Sequence, residues 1–324
     1  MRLRAALAAL LLALAGHPAA AEPLPAFSLP DGTGHPLVGR AWLPESQRFV
    51  APDTLVAMAA NADAVLLGET HDNADHHALQ AWMVRELTAG PRPVRVAFEM
   101  IDAGQKSALD AHLSARPGDA AGLGVALDWD KSGWPDWNLY RPIAEAALAG
   151  GGTVAPANLS RADTRALGRG EAPELATRLE VDRPLPAAVE AALAAEIKDS
   201  HCGMLPDKAV PAMMRVQRAR DRMMAEAVAD GLAAGGKAIL IAGSGHVRTD
   251  RAVPAHLAAL RPQARSFAIG FVEVRDELAD PAAYAEAYGA ETLPFDAVVF
   301  TPRARRADQC EELRKHMEKK GKGG

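Results

Sequence analysis

Cysteine is nearly absent from this chain: Cys202 and Cys310 are the only two in 324 residues. Two cannot staple a small disulfide scaffold, and these are neither spaced nor flanked as a structural zinc site requires. In an oxidising compartment they could pair with each other. Aromatic residues are scarce as well, at 5%, so a core must be built mainly from Ala, Leu and Val. Positive charge is not in excess either. The net charge of -5 argues against general nucleic-acid binding, which runs on a basic footprint. Beyond the N-terminus no apolar run is long enough to span a bilayer. What remains, 49% hydrophobic and 24% charged residues, is ordinary for a soluble globular protein. The length is ample for one large domain.

The N-terminus has a different character. Arg2 and Arg4 precede an apolar run from Ala5 to Ala15, and small residues follow at Ala19, Ala20 and Ala21. That three-part layout predicts a secretory signal peptide over residues 1–21, cleaved after about Ala21. The apolar run falls short of the roughly 20 residues a spanning helix needs. No cysteine follows the cleavage point to accept a lipid anchor. The mature protein is therefore expected to be periplasmic or secreted.

Residues 22–54 are Pro-rich and read as an irregular N-terminal lead-in. Over residues 55–303, short apolar runs alternate with helical stretches. AVLLGET, VRVAFEM, TVAPANLS, AILIAGSGH, RSFAIGFVEV and DAVVFTP read as strands. HHALQAWMVREL, AGQKSALDAHL, NLYRPIAEAALAG, PAAVEAALAAEIKDSH, a long segment from Val210 to about Ala234, and RAVPAHLAAL read as helices. This alternation predicts an α/β fold, a mostly parallel sheet flanked by helices on both faces in a single large domain. Residues 304–324 are charged, end in Gly and read as a disordered tail.

In such a sheet, ligands bind beyond the carboxyl ends of the strands. Four strand ends carry reactive residue types: Glu69 and His71 in GETH, Glu99 after VRVAF, Asn158 with Ser160 and Arg161, and His246 in GSGH. One edge of one sheet would gather them. GETH and GSGH share the form Gly-x-x-His, in which Gly permits a sharp turn or a close backbone approach. Glu69, His71, Glu99 and His246 together can bind a divalent metal. They can equally act as an acid and a base with orienting partners. His76 and His77 lie one turn further on, and at least one of them reads as merely solvated.

On the long helix, Met214, Gln217, Asp221 and Met224 share a face. Inward Gln217 and Asp221 would need partners, for which His71 and His246 are candidates. Arg220 lies beside that face. Arg215, Arg218 and Arg222 on the opposite side read most simply as a solvated stripe.

The paired GxxH elements, the acid of GETH and the FEM strand resemble the superfamily of Tiki, TraB, erythromycin-esterase-like and ChaN-like haem-binding uptake proteins. LLGETHDNADHH, and SHCGMLPD followed by MMRVQRARDRMM, resemble the ChaN-like branch, from about Asp53 to Thr301. The resemblance implies an α/β fold and a role in haem or iron uptake, with haem as ligand and a membrane uptake partner. For the Tiki and esterase relatives it implies instead a hydrolase, here with Glu69, His71, Glu99, Arg220 and His246 as the catalytic set. Whether this chain catalyses anything is left open. Members of the branch can be lipoproteins, whereas this chain lacks the lipid-accepting cysteine. Haem needs an axial donor and apolar surface. The candidates are Tyr140 in WDKSGWPDWNLYRP, and His201, Cys202 and Met204 in DSHCGMLPD. Trp129, Trp134 and Trp137 beside Tyr140 form either a binding surface or a cap on the core. A homodimer sharing a haem is compatible with this reading.

Overall fold

A computed structural model describes residues 21–308, 310–311 and 313–315. Residues 1–20 of the expected signal peptide and 316–324 of the expected tail lie outside them. Two short strands, β1 (Ala41–Leu43) and β2 (Arg48–Val50), come first. They are followed by β3 (Ala64–Glu69), β4 (Val94–Asp102), β5 (Thr153–Asn158), β6 (Lys237–Gly243), β7 (Ser266–Glu273) and β8 (Ala297–Thr301). All eight join one sheet in the order β2-β1-β8-β7-β3-β6-β4-β5. The six strands from β3 to β8 pair in parallel, and β1 and β2 extend the β8 side antiparallel. The expected α/β architecture is present.

The helices are α1 (Pro52–Asn61), α2 (Ala74–Thr88), α3 (Lys106–Ala115), α4 (Ala120–Ala126) and α5 (Trp137–Ala149). After β5 come α6 (Arg161–Arg169), α7 (Pro173–Arg178), α8 (Ala187–Ser200), α9 (Val210–Gly231) and α10 (Ala252–Leu260). The sheet divides the core in two. Val65 and Leu67 of β3 pack with α2 and α5, whereas Ala64 and Leu66 pack toward α9 and α10. Because successive strand side chains point to opposite faces, helices on both faces require a strand that is apolar throughout. AVLL and AILIA meet that demand, and each fully buried Leu or Ile contributes roughly 1.5–3 kcal/mol. Helix α2 starts where it does because the Asn73 side chain accepts from the N–H of Asp75 at 2.9 Å and of His76 at 3.1 Å, a standard N-cap.

Two expectations are corrected at the ends of the chain. Residues 22–54 are not irregular throughout: they contain β1, β2 and the start of α1. Ser28 N and Oγ donate to Asp75 Oδ1 at 2.7 and 2.8 Å, and Trp82 Nε1 donates to Glu22 O at 3.0 Å, so the early residues lie along α2. The start of the supposed tail is also held. Arg306 pairs with Glu273 at 2.6 Å and with Asp72 at 2.5 Å, and Cys310 forms a disulfide with Cys202. Among the described residues no helix is long and apolar enough to cross a membrane.

Candidate functional site

Strand register assembles the site. Glu69 ends β3 opposite Gly243, the last residue of β6, while Phe98 of β4 lies opposite Ile241 of the same strand. Glu99 is thereby brought beside the end of β6, and its Oε2 accepts from Gly243 N at 2.8 Å. Alternation then separates the two acids. Glu69 shares the side of Val65 and Leu67, toward α2 and α5, and Glu99 the side of Ala97, toward α9.

On the α2 side, Glu69 Oε1 lies 2.8 Å from His71 Nδ1 and Oε2 lies 3.0 Å from His77 Nδ1. The His77 proton is aligned on Gln80 Oε1, 3.1 Å away, so its contact with Oε2 is one of charge. His77 Nε2 sits 3.0 Å from His71 O, and its ring stands 4.3 Å from that of Tyr140. Tyr140 donates to His71 O at 3.2 Å and, more weakly, to Glu69 Oε1 at 3.5 Å. Burial works to raise the Glu69 pKa. The charge on His77 and the hydrogen bond from His71 outweigh it and bring the pKa down to about 2. Burial opposes protonation of His71 and His77 too, yet their contacts with Glu69 leave both pKa values raised.

On the α9 side His246 stands between two acids. Its Nδ1 is 2.6 Å from Asp221 Oδ1 and its Nε2 3.3 Å from Glu99 Oε1. Gln217 Nε2 lies 3.4 Å from the ring, and Asn158 Nδ2 donates to Glu99 O at 3.0 Å. Burial disfavours the imidazolium, but the charges of Glu99 and Asp221 raise its pKa to about 10. Glu99 is correspondingly lowered to about 2 against its own burial, through the charge of His246. At Asp221 burial prevails over His246 and the pKa is raised. With a carboxylate at each ring nitrogen, His246 has two acceptors to donate to, as only the protonated ring can. Three imidazoles thus meet three acids, with Glu69 shared by His71 and His77 and His246 held between Glu99 and Asp221, which lets a buried cluster carry charge.

The two Gly-x-x-His motifs interlock through their glycines. A Cβ on Gly68 would lie 2.4 Å from Val247 Cγ2 and 3.1 Å from Ser244 Cα; one on Gly243 would lie 3.0 Å from His71 Cε1. Each glycine makes room for the other motif. His71 is the imidazole that reaches solvent, its side chain 38% exposed, with its ring edge-on to Trp134 at 4.9 Å. Its Nδ1 is fixed on a buried carboxylate while the side chain keeps contact with solvent, an arrangement suited to proton transfer.

The expected residues divide as follows. Glu69, His71, Glu99 and His246 come together, and Asp221 and Gln217 meet His246 as their shared face suggested. Arg220 lines a cleft with Glu99, Trp134 and Asn158 and bonds to none of the four. The expected divalent-metal site is not formed as drawn. Among the described residues no group of three or more His, Cys, Asp or Glu could hold a metal ion; the four donors engage one another together with His77 and Asp221. Tyr140 is fully buried. Burial and the Glu69 and Glu99 charges hold its pKa above the usual phenol range, and its hydroxyl props the cluster from within. Cys202 is taken by its disulfide.

His201 and Met204 stand apart from the cluster, both partly exposed on the turn after α8. Trp129 and Trp137 are core residues, and only Trp134 stays at the site. His76 and His77 are buried, not solvated. His76 Nδ1 accepts from Thr70 N at 2.9 Å, its Nε2 meets Thr301 Oγ1 at 2.9 Å, and burial lowers its pKa to about 3. The signal for His77 was its place on the stripe of Ala81 and Val84, both core residues. The Arg215, Arg218 and Arg222 stripe is covered: Arg215 pairs with Asp182 at 3.1 Å and Arg222 with Glu180 at 2.9 Å.

A profile described as haem-binding uptake, Tiki superfamily, ChaN, matches residues 55–257. The chain belongs to that family. Its ChaN span runs from α1 into α10 and holds every member of the cluster, together with Arg220 and His201. The last two parallel strands, Arg306 and Cys310 lie beyond it. The structure of ChaN of Campylobacter jejuni, described as showing cofacial haem binding, superposes with a TM-score of 0.63 at 22% identity. The match covers 80% of this chain and 95% of that one, and it shows that the fold is shared. An erythromycin esterase mutant in its open conformation aligns at a TM-score of 0.43 and a type III effector at 0.44, each 15% identical. Those matches cover 83% and 86% of this chain and 99% of each neighbour. No curated protein sequence matches the chain significantly.

Proposed function

We propose that this chain is an exported haem-binding protein of haem or iron uptake, which passes its haem to a membrane uptake partner. The observation that carries the proposal is membership of the haem-binding uptake family over residues 55–257. The residues fit at one place. His201 Nδ1 lies 2.7 Å from Ile197 O, which fixes the tautomer and leaves Nε2 as the free lone pair, the orientation an iron ligand needs. Met204, whose N–H donates to His201 O at 3.0 Å, puts a thioether on the same turn. Export is supported by the Arg2–Ala21 pattern in the sequence.

A haemin titration of residues 22–324, followed by absorption, tests this. A saturable Soret band at one haem per chain or fewer is expected, shifted by His201→Ala. Sedimentation of the loaded protein would show whether two copies share a haem. A folded protein with no saturable band rejects the reading.

A second reading rests on His71, partly solvent-exposed and anchored at Nδ1 on buried Glu69. It is acid–base hydrolysis, with Glu99 and His246 supplying the charge that surrounds the reacting group. Ester turnover that is abolished by His71→Ala in a folded protein would support it, and turnover that survives the change would reject it.

A further inference from the structure

Beside the cluster, past the ends of β4 and β5, lies a cleft of about 240 Å³. Three arginines line it: Arg161 and Arg165 from α6, and Arg220 from α9. Arg161 is committed, since its guanidinium donates to Lys131 O at 2.6 Å and to Ser132 O, which fastens the loop bearing Trp134. Arg165 and Arg220 are different. Among the described residues neither has a hydrogen-bond or carboxylate partner, and the Arg220 Nε is closed off from solvent with its donor unmet. A buried donor without an acceptor is costly, and an acceptor brought by a ligand into this cleft would relieve it.

The acids on the cleft wall do not cancel this charge. Glu99 is already held by His246 and Gly243 N. Asp102 caps the following turn through Gly104 N at 2.7 Å. Two unpaired guanidinium groups therefore face one small space, with the indole of Trp134 as its wall and His71 against that indole. Guanidinium groups recognise the oxygens of carboxylates and phosphates through paired, charge-assisted hydrogen bonds.

We propose that Arg165 and Arg220 form a seat for a carboxylate or phosphate group of a small-molecule ligand, whose body then lies along Trp134 toward His71. The seat follows from the arginines and does not rest on the haem reading. Haem propionates and a separate small acid would present the same chemistry, and the test distinguishes them.

The test follows the Trp134 indole N–H resonance, assigned with Trp134→Phe, as inorganic phosphate and then citrate are added to residues 22–324. A saturable shift is expected, weakened at least tenfold by Arg165→Ala and by Arg220→Ala and partly kept by Arg220→Lys. Arg165 is exposed, so its replacement leaves the fold intact and its result stands by itself. No saturable shift in the unaltered protein, or equal binding by Arg165→Ala and Arg220→Ala, overturns the seat. Haemin that displaces phosphate where haem dimethyl ester does not identifies propionates as the occupant. Haemin that leaves the phosphate shift unchanged identifies a separate acid, and the seat stands in either case. A protein that binds phosphate but no haem would remove the uptake reading and keep the seat.

Discussion

His246 Nδ1 lies 2.6 Å from Asp221 Oδ1, and that contact ties the loop after β6 to the middle of α9. Both groups are buried and the far side of the ring faces Glu99. Asp221→Asn removes one of the two charges that raise the His246 pKa to about 10. Its pKa should fall, and stability should drop by about 3 kcal/mol, the cost of breaking a buried pair from one side. NMR titration of the ring and chemical denaturation measure the two effects, and neither changing would show the contact to be idle.

Stability should peak in weak acid. His246 is raised from 6.5 to about 10, so its contribution is complete below pH 6.5 and is lost as the pH climbs toward 10. Glu69 and Glu99, lowered from 4.5 to about 2, contribute above pH 4.5 and lose that as the pH falls toward 2. His76 runs with the acids: its ring is lowered from 6.5 to about 3, so stability grows as the pH rises between those values. The balance puts the maximum at roughly pH 5–6.5. Melting temperatures recorded from pH 3 to 10 check it, and a steady rise into the alkaline range would contradict it.

Gly243→Ala should act on the other motif. The new Cβ would stand 3.0 Å from His71 Cε1, so the ring must move away from its bond with Glu69. The expected cost is about 1–3 kcal/mol, with altered His71 ring resonances and little change at Asp221. Unmoved His71 resonances would mean that the motifs do not interlock.

Tyr140→Phe should leave a haem spectrum unchanged, because the phenol is fully buried. Loss of its hydrogen bonds to His71 O and Glu69 should cost about 1 kcal/mol. A displaced Soret band in this variant would put the phenol back among the iron ligands.

Reduction of the disulfide should lower stability by about 5 kcal/mol, because the bond closes a span of 108 residues. Denaturation with and without reductant, repeated on Cys310→Ser, measures it. Equal midpoints would show that the covalent link adds nothing.

The six parallel strands were legible because strands covered on both faces must be apolar along their whole length, and AVLL and AILIA are. β1 and β2 were not. Three residues carry no period, and β1 exists because Ala41 finds Val299 near the far end of the chain. Glu69, His71, Glu99 and His246 were legible because strand ends collect reactive residues. The burial of both His76 and His77 was not legible, because a polar residue on an apolar stripe looks the same whether it meets water or a buried partner. Arg306 escaped notice since its partners Asp72 and Glu273 are remote in sequence.

The bond between Cys202 and Cys310 also sets an order of events. Residue 202 is made long before residue 310, so the turn that carries His201 and Met204 stays unfastened until β8, the last strand, has been made. Every strand of the sheet has been made by Thr301. A protease cut between Arg306 and Cys310 would therefore spare the sheet, the buried acids and the Arg306 pairs, and would unfasten the turn beside His201.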